Sequence, residues 1–511
     1  MKESLFPPFI LTRNSPKEHS LSNSHDYLNK NKPLFMDKPL FNYDDVFFLE
    51  VLGKGGFGTV HKAYHKRFGS FVAIKSSIVF DQNRDNRNET NSNEEIERKM
   101  EYSIEQMVLE DELLNKLGEI YDINQTTHNN LSPLKYFGAF RDPKNSYDSL
   151  LLMMENGIAT LDEILRSGKV YTCDELTYVL WILIQEFAIL QENGVANRDV
   201  KTSNIILVED ENNENHFLYK VSDFGNGYQL SKKSDLISMK TITGYSEDYA
   251  APEILKLKDY NPYKSDVFSL GIIALKMINY GLHQNKIKKM FNSSKKRKIF
   301  EEYNPLIHIF RKMIAEDPKD RVDFKDLKVL FGEMKDISKS NMKPKEEMKY
   351  IQILINKKES ERSKTNQGLE SLYEEHKGLY LSYKSNTGRI KQAQYHLEKA
   401  FELLKELKVR KENEKKNKGR PEDINFIVTE EIICLNYLGN FYGNVGDAKK
   451  SEEYLNKSLE KCSKLIDEAE GQLENIEKYS YLAETLNLIG DLNMSMGNFH
   501  KAHECFRNNG D

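Results

Sequence analysis

The sequence predicts an α+β domain, rich in strands at its start and helical later, followed by an all-α region of repeated helices. Three observations carry this. Short β runs surround a cluster of glycines between residues 47 and 75. A long apolar run, Tyr178 to Leu190, leads into a polar loop and then into Ile205-Ile206-Leu207-Val208, which reads as helix, loop, strand. In the C-terminal third a turn glycine recurs three times with similar residues behind it.

The 511 residues give room for two or more domains, each able to bury a sizeable core. The net charge of -5 is too small to argue for nucleic acid or an anionic membrane surface as a partner. Cys173, Cys434, Cys462 and Cys505 are scattered and form neither a disulfide framework nor a zinc pattern, so the expected compartment is reducing, cytosol or nucleus. No apolar run approaches the roughly 18 residues of a membrane span. Leu5 to Leu11, broken by Pro7-Pro8, does not make a secretory signal.

Residues 1–44 hold no period of 2 or 3.6 and are expected to form a flexible tail. The apolar Phe47 to Val51 is followed by Gly53-Lys54-Gly55-Gly56-Phe57-Gly58-Thr59-Val60. Glycines there let backbone N–H groups approach phosphates without a Cβ in the way. A dinucleotide fold needs a helix directly after such a loop. Val60 to Tyr64 reads instead as a second strand, making a hairpin. Phe71-Val72-Ala73-Ile74-Lys75 is a third β run, ending in a cation 17 positions after Gly58 (75 minus 58). Residues 81–95, rich in Asn, Asp and Glu, look like an insertion. A helix is expected over about 96–117, with Glu110, followed by Leu113, Leu114 and Leu117, as the partner for Lys75 and Glu105 and Glu112 as alternatives. Leu134 to Phe140 and Leu150 to Met154 read as two more strands.

The loop Asn197-Arg198-Asp199-Val200-Lys201-Thr202-Ser203-Asn204 packs an acid, two cations and an amide into eight positions. A carboxylate can take a proton from a hydroxyl, a Lys can steady a phosphate, and an Asn carbonyl can ligate a metal. Phe217 to Val221 then forms a strand ending in Asp223-Phe224-Gly225, and Ala251-Pro252-Glu253 follows 26 positions after Gly225 (251 minus 225).

In order and spacing these segments resemble the eukaryotic protein kinases of Ser/Thr type across residues 45–333. The resemblance implies a bilobal kinase fold, a small β-rich lobe over a larger helical one, which transfers the ATP γ-phosphate to a protein hydroxyl with Mg²⁺. It implies Asp199, Lys201 and Asn204 as catalytic residues and Asn204 and Asp223 as metal ligands. It places Leu52, Gly53, Lys54, Gly55, Gly56, Phe57, Gly58, Val60, Ala73, Lys75, Glu110, Met154, Glu155, Gly157, Ile206 and Asp223 around the nucleotide. Met154 takes the gatekeeper position and Glu155-Asn156-Gly157 the hinge. Asp266 to Gly271 corresponds to the helix that anchors the catalytic loop, and Arg321 to the partner of Glu253.

One position departs from the family. Asn197 stands where His is usual, and its smaller side chain brings an amide that needs hydrogen-bond partners. Arg198 before the catalytic Asp implies activation by phosphorylation, with Thr241, Thr243, Tyr245 and Ser246 as candidates. Ser246 also corresponds to a structural hydroxyl of the substrate-binding loop.

Residues 334–372 read as a linker, mostly helical or loose. Residues 373–511 carry the repeats. Gly388 is followed by Ala393, Leu397 and Ala400, Gly446 by Ser451, Leu455 and Ser458, and Gly497 by Ala502 and Phe506. Leu438-Gly439 and Ile489-Gly490 lie upstream of two of these turns. The pattern resembles tetratricopeptide (TPR-like) repeats, which implies a module that docks a partner protein or peptide. The last helix runs out at Asn508-Asn509-Gly510, so its outer face expects a cover, self-association, or further chain beyond it. Two rivals stand beside the kinase expectation: a nucleotide-holding module that signals without transfer, and a small-molecule kinase.

Overall fold

The computed structural model describes residues 43–55, 58–76, 93–124, 134–141, 150–210, 217–230, 236–238, 244–256, 259–281, 283–292, 301–332, 344–384, 389–418, 422–467 and 472–508. The expected tail up to residue 42, most of the acidic insertion, Gly56, Phe57, Thr241, Thr243 and Gly388 lie outside these residues.

The small lobe is a five-stranded antiparallel sheet in the order β1-β2-β3-β5-β4, from β1 (Val46–Gly55), β2 (Gly58–His65), β3 (Ser70–Ser76), β4 (Tyr136–Arg141) and β5 (Leu150–Glu155). Gly55 pairs with Gly58, so the glycine segment is the tip of the β1–β2 hairpin. α1 (Asn93–Asn124) crosses this sheet and buries Met107 and Val108 against Ala73 and Leu152. It is longer than the expected 96–117. An interior glycine costs a helix about 1 kcal/mol, and beyond Gly118 the burial of Ile120 in the large-lobe core offsets it.

After β6 (Ala159–Thr160) the large lobe begins with α2 (Leu161–Arg166), started by a capping box in which Thr160 and Glu163 exchange hydrogen bonds. α3 (Cys173–Glu192), capped in the same way by Thr172 and Glu175, is the apolar run read from the sequence, and its Leu176, Leu180, Leu183 and Ile184 form the centre of the core. Then come β7 (Val195–Ala196), β8 (Ile205–Glu209), β9 (Phe217–Val221), β10 (Tyr228–Gln229), α4 (Pro252–Leu255), the buried α5 (Pro262–Ile278), α6 (Gln284–Asn292), α7 (Asn304–Met313) and α8 (Phe324–Gly332).

Of the expected linker, mostly helical or loose, the described residues from Pro344 onward are largely helix. α9 (Pro344–Arg362) packs on the large lobe and α10 (Asn366–Tyr383) on the strands of the small lobe, so residues 344–372 are no loose tether and the helical stack starts at Asn366. α10 pairs with α11 (Ile390–Lys418), α12 (Glu422–Asn444) with α13 (Ala448–Asp467), and α14 (Gln472–Ser495) with α15 (Phe499–Asn508). The small and large positions read from the sequence meet at these contacts. Ala393, Leu397, Ala400, Ser451, Leu455 and Ser458 are buried. A Cβ on Gly439 would strike Leu455, and one on Gly490 would strike Phe506, so the two hairpins share one close-approach geometry. Among the described residues no helix is long and apolar enough to cross a membrane.

Candidate active site

Lys75 sits on β3 opposite Val60 of β2 and Leu152 of β5. Its ammonium donates to Glu110 Oε2 at 2.6 Å and to Asp223 Oδ1 at 2.8 Å. Of the three acids weighed for this role, Glu110 faces inward, while Glu105 and Glu112 face solvent on the same helix. Burial works against charge on Lys75, but Glu110 and Asp223 overcome it and hold the amine above its ordinary pKa. Asp223 is only partly buried, and although desolvation works to raise its carboxyl, the Lys75 and Lys201 cations keep it below the usual range.

The polar loop is held from below by Asp266 of α5, whose carboxylate accepts the backbone N–H of Asn197 and of Arg198 at 3.0 Å each. Burial raises Asp266 to about 7, with the two backbone donors opposing. Arg198 (φ 65°) and Asp223 (φ 57°) both lie in the left-handed region, costly for residues with a Cβ and found where surroundings over-determine the backbone. Arg198 is fixed further by donating Nε–H to the Asn226 carbonyl at 2.6 Å and by packing 4.9 Å from the Tyr228 ring centre.

Asn197 is fully buried, and its amide finds partners. Nδ2 donates to the Asp223 carbonyl at 3.1 Å, and Oδ1 accepts the Asp199 N–H at 3.1 Å. Asp199 accepts Lys201 Nζ at 2.6 Å on Oδ2 and the Ser246 hydroxyl at 3.2 Å on Oδ1. Burial raises the Asp199 pKa, with Lys201 working the other way. Asn204 turns its Nδ2 to the Asp199 carbonyl (2.9 Å) and carboxylate (3.2 Å), so its amide oxygen is the end available to a cation.

Met154 lies on β5 opposite Ala73, and Glu155 ends that strand. Gly157 comes so close to Ile206 of β8 that a Cβ would meet the Ile206 Cβ at 3.0 Å. Leu52, Gly53 and Lys54 are exposed near the end of β1, which Gly55 closes. Farther off, Arg321 grips Glu253 in a two-pronged pair at 2.7 and 3.1 Å, almost fully buried.

Three groups beside the site escaped the sequence reading. Lys220 of β9, with its side chain 1% exposed, pairs with the hinge residue Glu155 at 2.6 Å. Its signal was a lone cation within the apolar run Phe217 to Val221. Glu186 of α3 is buried behind the same strand and accepts the Val221 N–H at 3.4 Å. Tyr249 shares its hydroxyl with Thr202 at 2.7 Å, tying the segment before Ala251 to the polar loop.

A carboxylate (Asp223) and an amide oxygen (Asn204), flanked by Lys75 and Lys201, form a hard-oxygen donor set that suits Mg²⁺ shared with phosphate.

A family model described as protein kinase domain matches residues 47–373, running past residue 333 into α10. The chain is 30% identical over 229 residues to the serine/threonine-protein kinase pakH of Dictyostelium discoideum, covering 45% of this chain and 36% of that protein. It is 31% identical over 252 residues to the probable serine/threonine-protein kinase fhkC of the same organism, covering 49% of this chain and 36% of that protein. The matched part is thus little more than a third of either relative.

Proposed function

The chain belongs to the protein kinase family, and we propose that it is a Ser/Thr protein kinase that moves the ATP γ-phosphate to a protein hydroxyl, with a TPR-like helical stack that docks a partner. One observation carries this: Lys75 pairs with Asp223, Asp199 pairs with Lys201 and Asn204, and the buried Asn197 amide joins the two groups by bonding to the backbone of both Asp199 and Asp223. Asp199 orients the incoming hydroxyl and takes its proton. Lys201 neutralises charge that grows on the transferring phosphoryl group. Lys75, held by Glu110, fixes the phosphate end of ATP. Asn204 and Asp223 hold Mg²⁺, which when bound screens the phosphate oxygens. The rest is positioning, which such reactions chiefly need. The Lys two residues after Asp199 follows the Ser/Thr pattern. Four unpaired cysteines suit a reducing compartment such as the cytosol. The three helical hairpins among the described residues offer docking faces for a partner protein or peptide.

A nucleotide-holding module without transfer is the second reading, and Asn197 favours it. Transfer from radiolabelled ATP by the purified full chain, with and without Mg²⁺, separates the two. Asp199→Asn is expected to lower turnover by about 10² to 10⁴-fold with MgATP affinity nearly intact. Equal turnover by variant and wild type would sink the proposal.

A further inference from the structure

The helical extension grips both lobes. On the large lobe, Ile351 of α9 is buried, Tyr350, Leu354 and Ile355 pack on the same core, and Lys358 pairs with Glu163 of α2 at 2.7 Å. On the small lobe, Glu375 of α10 receives both Lys62 of β2 and Arg362 from the end of α9, and Arg362 reaches Glu50 of β1 at 3.4 Å. The order Glu50, Arg362, Glu375, Lys62 alternates in sign. The side chains of Arg362, Glu375 and Lys62 are only 14 to 16% exposed. Burial alone would raise the Glu375 pKa, yet the two cations bring it down to about 2. Backbone approaches closely as well. A Cβ on Gly378 would meet the Tyr64 ring at 2.9 Å and Phe71 at 3.3 Å.

The grip falls on the strands that carry the nucleotide cradle. Lys62 is opposite Ala73 in the β2–β3 register, two residues from the pair Val60 and Lys75, and β2 begins at Gly58 of the glycine hairpin. We propose that Glu375 and Arg362, outside both lobes, are positioning residues for ATP. They hold the small-lobe sheet at a fixed setting over the large lobe, on which α9 is anchored. This rests on the kinase reading above. It also gives a route by which the helical stack, of which α10 is the first helix, reaches the catalytic cleft.

The test uses the full chain and two independent disruptions. Glu375→Gln leaves two cations facing a neutral amide, and Gly378→Leu wedges α10 off Tyr64 and Phe71. Each is expected to raise the KM for ATP and the calorimetric Kd for MgATP about five- to tenfold, with kcat within twofold. Glu375→Asp, which keeps the charge, is expected to stay close to wild type. A lowered melting temperature with unchanged KM and Kd would reduce these residues to stability alone and overturn the proposal. If the wild type binds MgATP but transfers nothing, the kinase reading fails by itself. The Kd shift in the two variants then supports the positioning role, and its absence removes it.

Discussion

The side-chain carbonyl of Asn197 accepts the backbone N–H of Asp199 at 3.1 Å, while the amide nitrogen of the same residue donates to the Asp223 carbonyl. A single buried amide therefore links the candidate proton acceptor to the candidate metal ligand. Asn197→Ala would strand both backbone groups away from water, at a cost of about 1 to 3 kcal/mol each. The expected outcome is a lower melting temperature and about tenfold slower transfer, measured by thermal unfolding and by radiolabelled ATP turnover. An unchanged melting temperature would show that the link is idle.

Arg321 and Glu253 form the most buried ion pair of the large lobe described above. Breaking such a pair leaves an uncompensated charge and costs about 3 to 5 kcal/mol. Arg321→Ala should lower stability by that much in urea unfolding. Arg321→Lys should recover little, because a point charge cannot make the two-pronged contact.

Lys220 joins the hinge to the strand that leads into Asp223. Lys220→Met alone would leave Glu155 poorly paired and should destabilise the fold by about 3 kcal/mol. The double variant Lys220→Met with Glu155→Leu should recover most of the loss, since apolar side chains of similar volume avoid the desolvation of both charges. A double-mutant cycle by chemical unfolding checks this. Simple additivity of the two single variants would count against it.

Glu186 is pushed up to about 8, chiefly by burial, with the Val221 N–H and Lys220 opposing. Its folded pKa lies above its unfolded one, so the folded chain binds the extra proton between about pH 4.5 and pH 8. The stability tied to this group is therefore full at low pH and is lost as pH rises through that window. Glu186→Gln removes the dependence. Its stability advantage over wild type should grow from pH 5 to pH 8 by on the order of 3 kcal/mol and then level off. Parallel unfolding curves for the two proteins across this range would refute the assignment.

Much of the site is legible in the sequence because its chemistry is local. Asp199, Lys201 and Asn204 share one loop, and the glycine hairpin, Lys75 and Asp223 each close a β run with a distinct residue pattern. Glu110 is less legible. Several acids share its helix, three of them candidates for the role, and the packing of Met107, Val108 and Leu114 is what turns Glu110 inward. Lys220 and Glu155 are 65 residues apart and belong to separate sheets, so no local pattern joins them. The charges of residues 344–372 have partners that no local pattern names, for a related reason. Arg362 meets Glu50 and Glu375, which lie far apart in the chain.

By itself the sequence determined the strand and helix order, the glycines of the β1–β2 hairpin, the polar loop and the recurrence of small and large residues in the helical stack. These follow from backbone preference and hydrophobic period, which act over a few residues. Tertiary structure alone decided that Glu105 and Glu112 face away from Lys75, that the amide of Asn197 is satisfied, and that α9 and α10 lie on the two lobes. Each of those depends on which charges lose their water together, and burial is set by the whole fold rather than by neighbours in the chain.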